Sequence, residues 1–255
     1  FPPGGPRSFD EETVDSFELG VKYETEDGRG LLNAAAFYTD IKDMQREVNL
    51  SDPLAGVVQT IVNTADAEIA GLELEGRYAI TDNFLLNANV GLIDAEYQSV
   101  LFDISGDGAI DGGDLALALP RVPEMTFGFG ALYDKGLGDY GSLVLRANYQ
   151  NRDEVAYTDN NFGWINAAEI VDADITWNTP KEGLSISLYG RNLMDEVQAG
   201  GDTQLPFGGN VAALAPGGVN RANGVGAPFD PNPAAGTFSP LKKGRLLGIE
   251  LVYQY

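Results

Sequence analysis

Residues 142–149 read SLVLRANY, a segment in which apolar and polar residues alternate. Leu143, Leu145, Ala147 and Tyr149 stand at every second position, with Ser142, Arg146 and Asn148 between them. Successive side chains of a β-strand point to opposite faces, so this spacing gives one apolar and one polar face. The stretch therefore predicts a two-faced strand.

The same period of two recurs along the chain. It is clearest in FELGVKY (17–23), GLELEGRY (71–78), LLNANVGL (85–92), VDADITWN (171–178), LSISLYG (184–190) and RLLGIELVYQY (245–255). The pattern predicts an all-β, antiparallel protein with about nine strands. We expect them at residues 14–25, 30–46, 60–79, 84–98, 122–134, 141–152, 168–179, 184–193 and 245–255. Alternation alone also fits a soluble β-sandwich or a lipocalin-like barrel.

Three features favour a transmembrane barrel. Charges recur in mid-strand on the polar face, which suits a wet lumen better than a dry core; they are Glu18, Lys22, Glu73, Glu75, Arg77, Arg146, Asp172 and Asp174. Tyrosines near strand ends resemble the aromatic girdles of such barrels; they are Tyr23, Tyr38, Tyr78, Tyr97, Tyr133, Tyr149, Tyr253 and Tyr255. Short turns alternate with long connections, which we place at 44–60, 98–121, 152–168 and 195–243.

The composition excludes several functional classes. The chain has 16 Lys and Arg against 38 Asp and Glu, a formal charge of −22, so we expect no nucleic-acid partner. It contains neither histidine nor cysteine, which removes the usual general base, thiolate metal sites and disulfides, and we expect no enzyme.

Nothing in the chain reads as a membrane helix or a signal peptide. The start, FPPGGPRSFDEE, lacks a basic segment followed by an apolar one, so the chain is either cytosolic or a piece of an exported protein. The strand pattern favours export. Because bacterial barrels usually have even strand numbers, we expect residues 1–255 to be the C-terminal part of a larger barrel.

Residues 103–114, DISGDGAIDGGD, have the spacing of a calcium loop. The candidate ligands are Asp103, Ser105, Asp107, Ala109 through its carbonyl, Asp111 and Asp114. Gly108 stands where such loops turn sharply, and the spacing resembles the dockerin form of the EF-hand. It departs from the EF-hand in following a strand and in ending on Asp instead of Glu. We expect a structural calcium ion in an extracellular loop, followed by a short helix within LALAL (115–119); the alternative is a solvated acidic loop.

Five stretches, taken in order, resemble TonB-dependent outer-membrane receptors. They are SFELGVKYE (16–24), AAFYTDIKDM (35–44), NTADAEIAGLELEGRY (63–78), ISLYGRNLMDE (186–196) and GRLLGIELVYQY (244–255). Within the fourth, Asn192, Leu193 and Asp195 match the strand-end motif of that family.

The resemblance implies a barrel of about 22 strands in the outer membrane of a Gram-negative bacterium, in contact with its lipid. It also implies a plug domain, a TonB-type energising protein, and uptake of a scarce ligand such as a siderophore, cobalamin or an oligosaccharide. Tyr255 would belong to the signal read by the barrel-assembly machinery, and loop 195–243 would lie outside the cell. A non-transporting surface anchor or adhesion protein with calcium-stabilised loops stays open as the alternative.

Overall fold

The strands form one large antiparallel sheet and two small hairpins. The structure, a computed structural model, describes residues 8–52, 56–161, 163–199, 204–206, 235–237 and 241–254. Its strands are β1 (Thr13–Glu24), β2 (Gly30–Asp52), β3 (Gly56–Thr81), β4 (Phe84–Val100), β5 (Met125–Gly136), β6 (Ser142–Arg152), β7 (Val155–Ala156), β8 (Trp164–Ile165), β9 (Ala168–Asn178), β10 (Leu184–Arg191), β11 (Gln204–Pro206), β12 (Ala235–Thr237) and β13 (Leu246–Tyr253). Helix α1 (Gly112–Leu115) is one turn long. No helix in the described part of the chain is long and apolar enough to cross a membrane.

The large sheet has nine strands in the order β1-β2-β3-β4-β5-β6-β9-β10-β13. These are the nine strands that the alternation predicts, and all are antiparallel to their neighbours. Within the described residues β1 and β13 do not pair with each other, so the sheet is an open part of a barrel. Hairpins β7–β8 and β11–β12 lie outside it.

Register places the apolar side chains in rows on one face. Leu19 pairs with Ala36, Ala36 with Leu72, and Leu72 with Leu92, so one apolar row crosses β1 to β4. Leu19 is 77% exposed and Leu72 is 53% exposed. A soluble sandwich would bury such a row against a second sheet, so that alternative is wrong.

Short turns and long connections alternate at the two ends of the sheet, as predicted, with one exception. Residues 44–60 are not a loop, because β2 and β3 pair almost to their tip. The register shifts near Asp43, whose φ is +53°, so the period of two breaks there and hides the continuing strands. The helix is also displaced from the expected 115–119, since it begins at Gly112 and ends at Leu115.

The buried core lies at the long-connection end, against the polar face. Its buried members are Met44, Ala65, Ala67, Tyr97, Ile104, Leu117 and Leu119. Tyr97 was expected in an aromatic girdle, but it is only 4% exposed. Tyr97 pairs with Ala67 in the regular register, on the polar face and just before the bulge, and residues 101–124 cover it.

Candidate functional site

The polar face and the segments folded onto it form the candidate site. The predicted inward residues share one face: Glu75 pairs with Asn33 and Asn89, and Arg146 pairs with Asp174. Arg146 also lies 3.6 Å from the Asp174 carboxylate. This face therefore carries charges of both signs, some of which neutralise each other across neighbouring strands.

A second ion pair on this face involves an arginine that the sequence reading did not single out. Arg191 at the end of β10 lies 3.8 Å from Asp172 on the neighbouring strand β9. The signal for it was present, because Arg191 continues the polar set of β10. It was not recognised because the strand-end motif, beginning at Asn192, follows it directly.

Glycines make room for amide side chains on the polar face. A Cβ at Gly130 would lie 2.6 Å from Oδ1 of both Asn87 and Asn148. Gly130 pairs with both asparagines, so their amides meet over the bare backbone between them. A larger residue at Gly130 would push this amide row away from the wall.

The strand-end motif ties three strands together. Asn192 has φ +49°, and its side chain accepts from the Glu196 N–H and donates to the Glu196 carbonyl, each at 2.8 Å. The Asn192 N–H donates to Asp172 on β9, and the Arg245 N–H, just before β13, donates to Asp195. The motif thus stabilises the ends of β9, β10 and β13; its role here is structural.

The acidic loop lies in the segment that we call connection A, residues 101–124. Asp103 Oδ1 accepts from the N–H groups of Gly106 and Asp107 at 2.7 and 3.2 Å, and its Oδ2 accepts from Gly108 at 2.8 Å. Gly106 and Gly108 have φ of +75° and +95°, a conformation that glycine adopts without strain. The loop therefore turns around the Asp103 carboxylate.

The other end of the loop closes through Asp114, whose side chain is fully buried. Its two oxygens accept from the N–H groups of Ser105 at 2.7 Å and Asp111 at 3.1 Å. Asp111 in turn accepts from Gly113 at 2.6 Å and caps α1. The two ends of residues 103–114 are joined by these bonds.

The six predicted calcium ligands are in one loop, yet they do not form a ready ion shell. Their carboxylates point at backbone N–H groups, including Asp107 Oδ1, which accepts from Ala109 at 2.9 Å. Across the described residues, no three acidic side chains come together in a way that could hold a metal ion. Calcium binding stays a prediction.

A second segment, which we call connection B, residues 153–161 and 163–167, packs beside connection A. Its Asp159 lies 3.8 Å from Arg46 of β2. Burial raises the pKa of Asp159, while Arg46 and Arg121 oppose the rise. The sequence reading missed this cluster, since neither the strand pattern nor any motif marks it.

Two predictions fall wholly or mainly outside the described residues. Tyr255 is one of them. Most of loop 195–243 is the other, because only residues 195–199, 204–206, 235–237 and 241–243 of it are described.

Comparison with known proteins assigns the fold. Residues 1–193 match the family "TonB dependent receptor-like, beta-barrel". The pesticin receptor of Yersinia pestis is 28% identical over 180 residues, which are 71% of this chain and 24% of that protein. A probable TonB-dependent siderophore receptor of Acinetobacter baumannii is 26% identical, over 58% of this chain and 21% of its own length.

Solved structures agree on the architecture. The ferric yersiniabactin uptake receptor of Yersinia pestis superposes with a TM-score of 0.67 at 21% identity, covering 96% of this chain and 30% of that one. The siderophore receptor PiuA of Acinetobacter baumannii gives 0.62 at 18% identity, over 95% and 28%. The chain spans about a quarter of the length of the curated relatives it matches.

Proposed function

The chain belongs to the TonB-dependent receptor-like β-barrel family of Gram-negative outer-membrane proteins, and from that premise we propose that it is the C-terminal barrel part of an importing receptor. The observation that carries the proposal is the two-faced sheet. Its exposed apolar rows suit lipid, and its charged opposite face suits a filled, wet lumen.

The same premise supports four partners. Outer-membrane lipid would contact the apolar face. A plug domain would fill the lumen against the mixed charges of the polar face, and a TonB-type protein would supply energy. The barrel-assembly machinery would read Tyr255 at the end of the chain.

We infer the ligand class from the receptors to which the chain is similar. They include a ferric yersiniabactin uptake receptor and a siderophore receptor, so we place a ferric siderophore ahead of cobalamin and oligosaccharides. Part of the polar face would then lie along the ligand's path.

Uptake by whole cells tests this proposal. Cells that carry the full-length receptor should accumulate ⁵⁵Fe from ferric siderophores, and cells lacking either the receptor or the TonB-type protein should not. If cells with and without the receptor accumulated equal ⁵⁵Fe, and cells without it attached less well to surfaces, the alternative of a non-transporting anchor or adhesion protein would be favoured.

The acidic loop supports a second, separate proposal: that residues 103–114 hold a structural calcium ion. Asp103 already collects three backbone N–H groups around one carboxylate, as the first residue of a calcium loop would. To complete an oxygen shell, Asp107 and Asp111 would have to turn away from their backbone partners. Roughly micromolar to millimolar affinity is expected for such an extracellular loop.

Calorimetric titration of the full-length receptor with CaCl2 measures this directly. Asp107→Ala should abolish the binding heat, because alanine has no side-chain oxygen to offer the ion. The matched control is Asp139→Ala in the turn between β5 and β6, at the opposite end of the sheet, and it should leave the heat unchanged. If the wild-type receptor gave no heat of binding, the calcium proposal would be ruled out and residues 103–114 would be a solvated acidic loop.

A further inference from the structure

The Asn161 side chain is one of the contacts that join connections A and B, with the Arg121 guanidinium lying over the Tyr157 ring as another. The Ala118 N–H donates to Asn161 Oδ1 at 2.7 Å, and Asn161 Nδ2 donates to the Ala118 carbonyl at 2.9 Å. The amide of Asn161 thus pairs with a backbone unit of connection A as a neighbouring strand would. A backbone bond from Arg121 to the Ala156 carbonyl, at 2.6 Å, lies beside it.

Connection B holds Asn161 in place for this contact. Asn161 has φ +57° and is 6% exposed. Its N–H donates to the Thr158 carbonyl at 3.0 Å, and its own carbonyl accepts from the Trp164 indole at 2.8 Å. Thr158 Oγ1 accepts from the Gly163 N–H at 2.7 Å, which closes the turn. A left-handed, buried asparagine with every polar group bonded is positioned by its surroundings.

Each connection also has its own attachment to the sheet. Connection A inserts Ile104, Leu117 and Leu119 into the core on the polar face of β2, β3 and β4. Connection B reaches β2 through Asp159 and Arg46. The two attachments are on the same face, so the joined connections cover one end of it.

We propose that connections A and B form a single cap over the polar face and open as one body, with Asn161 as the residue that couples them. The coupling rests on the proposed function only in that the covered face would line the ligand's path. Movement that ligand binding imposes on one connection would be transmitted to the other through the Asn161–Ala118 pair, without a ligand contact on both.

Hydrogen–deuterium exchange of the full-length receptor in nanodiscs tests the coupling without any ligand. Asn161→Ala should speed exchange of connection A at Ile104 and Leu117 by about tenfold, the factor that losing one or two hydrogen bonds produces. Neither the Ile104 amide nor the Leu117 amide bonds to Asn161. Loss of the Ala118 hydrogen bond would therefore not by itself produce this result. Asn166→Ala is the matched control, since the Asn166 side chain is exposed on the same connection.

The reciprocal variant excludes a one-way effect. Leu117→Ala should loosen connection A and speed exchange at Val155 and Ile165 of connection B, while exposed Leu115→Ala should not. Resistance of each unheated variant to unfolding in SDS verifies that the barrel is intact.

Independent connections would give a different result and overturn the proposal. Asn161→Ala would then alter only connection B and the Ala118 amide, and Leu117→Ala would leave connection B unchanged. Because the readout is exchange, failure of ⁵⁵Fe uptake with coupling intact would refute the transport proposal and leave this one standing.

Discussion

The sheet and the cap solve the problem of apolar surface in opposite ways. On β13, Leu247, Ile249 and Leu251 are 68%, 73% and 64% exposed, although they are among the most apolar positions of the chain. In connection A, Leu117 and Leu119 are 7% and 3% exposed. The apolar side chains of the sheet face lipid, and hydrogen bonds between strands hold the sheet together. The cap, in contrast, buries its apolar side chains in a core of its own.

This difference separates what each region tolerates. A strand position is constrained by the face to which its side chain points, and this face alternates from one residue to the next. Neighbouring positions therefore require an apolar and a polar side chain in turn. A cap position is constrained by particular contacts from distant parts of the chain.

A charge on the lipid face should have the largest effect. Leu72→Arg places a cation in the apolar row beside Ala36 and Leu92 and should destabilise the full-length receptor by about 3 kcal/mol. Glu73→Arg, one residue further on the polar face, should cost little. Equilibrium refolding into lipid vesicles against guanidinium measures both, and equal costs for the two variants would contradict the assignment of faces.

A cavity in the cap core should rank second. Leu119→Ala should destabilise the cap by about 2 kcal/mol, at the low end of the range for buried leucines because the cap lies close to solvent. The barrel itself should keep its stability. Exchange rates in connection A report the local change, and Leu115→Ala, at an exposed position, should leave them as they are.

The pH dependence of the cap should be smaller, and its sign follows from Asp159. Burial raises the pKa of this carboxyl above its ordinary value of 3.8, with Arg46 and Arg121 opposing. The capped state therefore holds the proton more tightly than the opened state. Its contribution to cap stability is fully present below 3.8 and is lost as pH rises through the raised pKa.

Exchange of connection B, corrected for the intrinsic pH dependence of amide exchange, measures this. Asp159→Asn should remove the dependence and keep the cap at its acid-side stability. Exposed Glu154→Gln is the control and should titrate like the wild type. Protection that grows with rising pH would reverse the sign and refute the argument.

The smallest effect should come from the ion pair between Arg29 and Asp82 at the short-turn end. The two side chains are 2.8 Å apart but 40% and 94% exposed. Arg29→Gln should therefore cost at most about 0.5 kcal/mol, less still in high salt. Refolding into lipid vesicles measures it, and a cost above about 1 kcal/mol, the upper end for exposed ion pairs, would show that this turn is more tightly constrained than its exposure indicates.

The sequence alone predicted the nine-stranded sheet of this protein. A period of two is a local property, so FELGVKY or VDADITWN assigns its own faces without knowing its neighbours. Turn residues set the short connections in the same local way. Nine strands, their antiparallel order and their lipid and lumen faces follow, and the bulge near Asp43 marks where the local rule fails.

The cap, in contrast, depends on contacts between distant parts of the chain. Asn161 and Ala118 are 43 residues apart, and Arg46 and Asp159 are further apart still, so no local spacing links them. The same is true of Tyr97, which the sequence placed with the girdle aromatics and the fold placed under connection A. Parity along a strand fixes the direction of a side chain, but which distant segment covers it depends on where the chain returns in space.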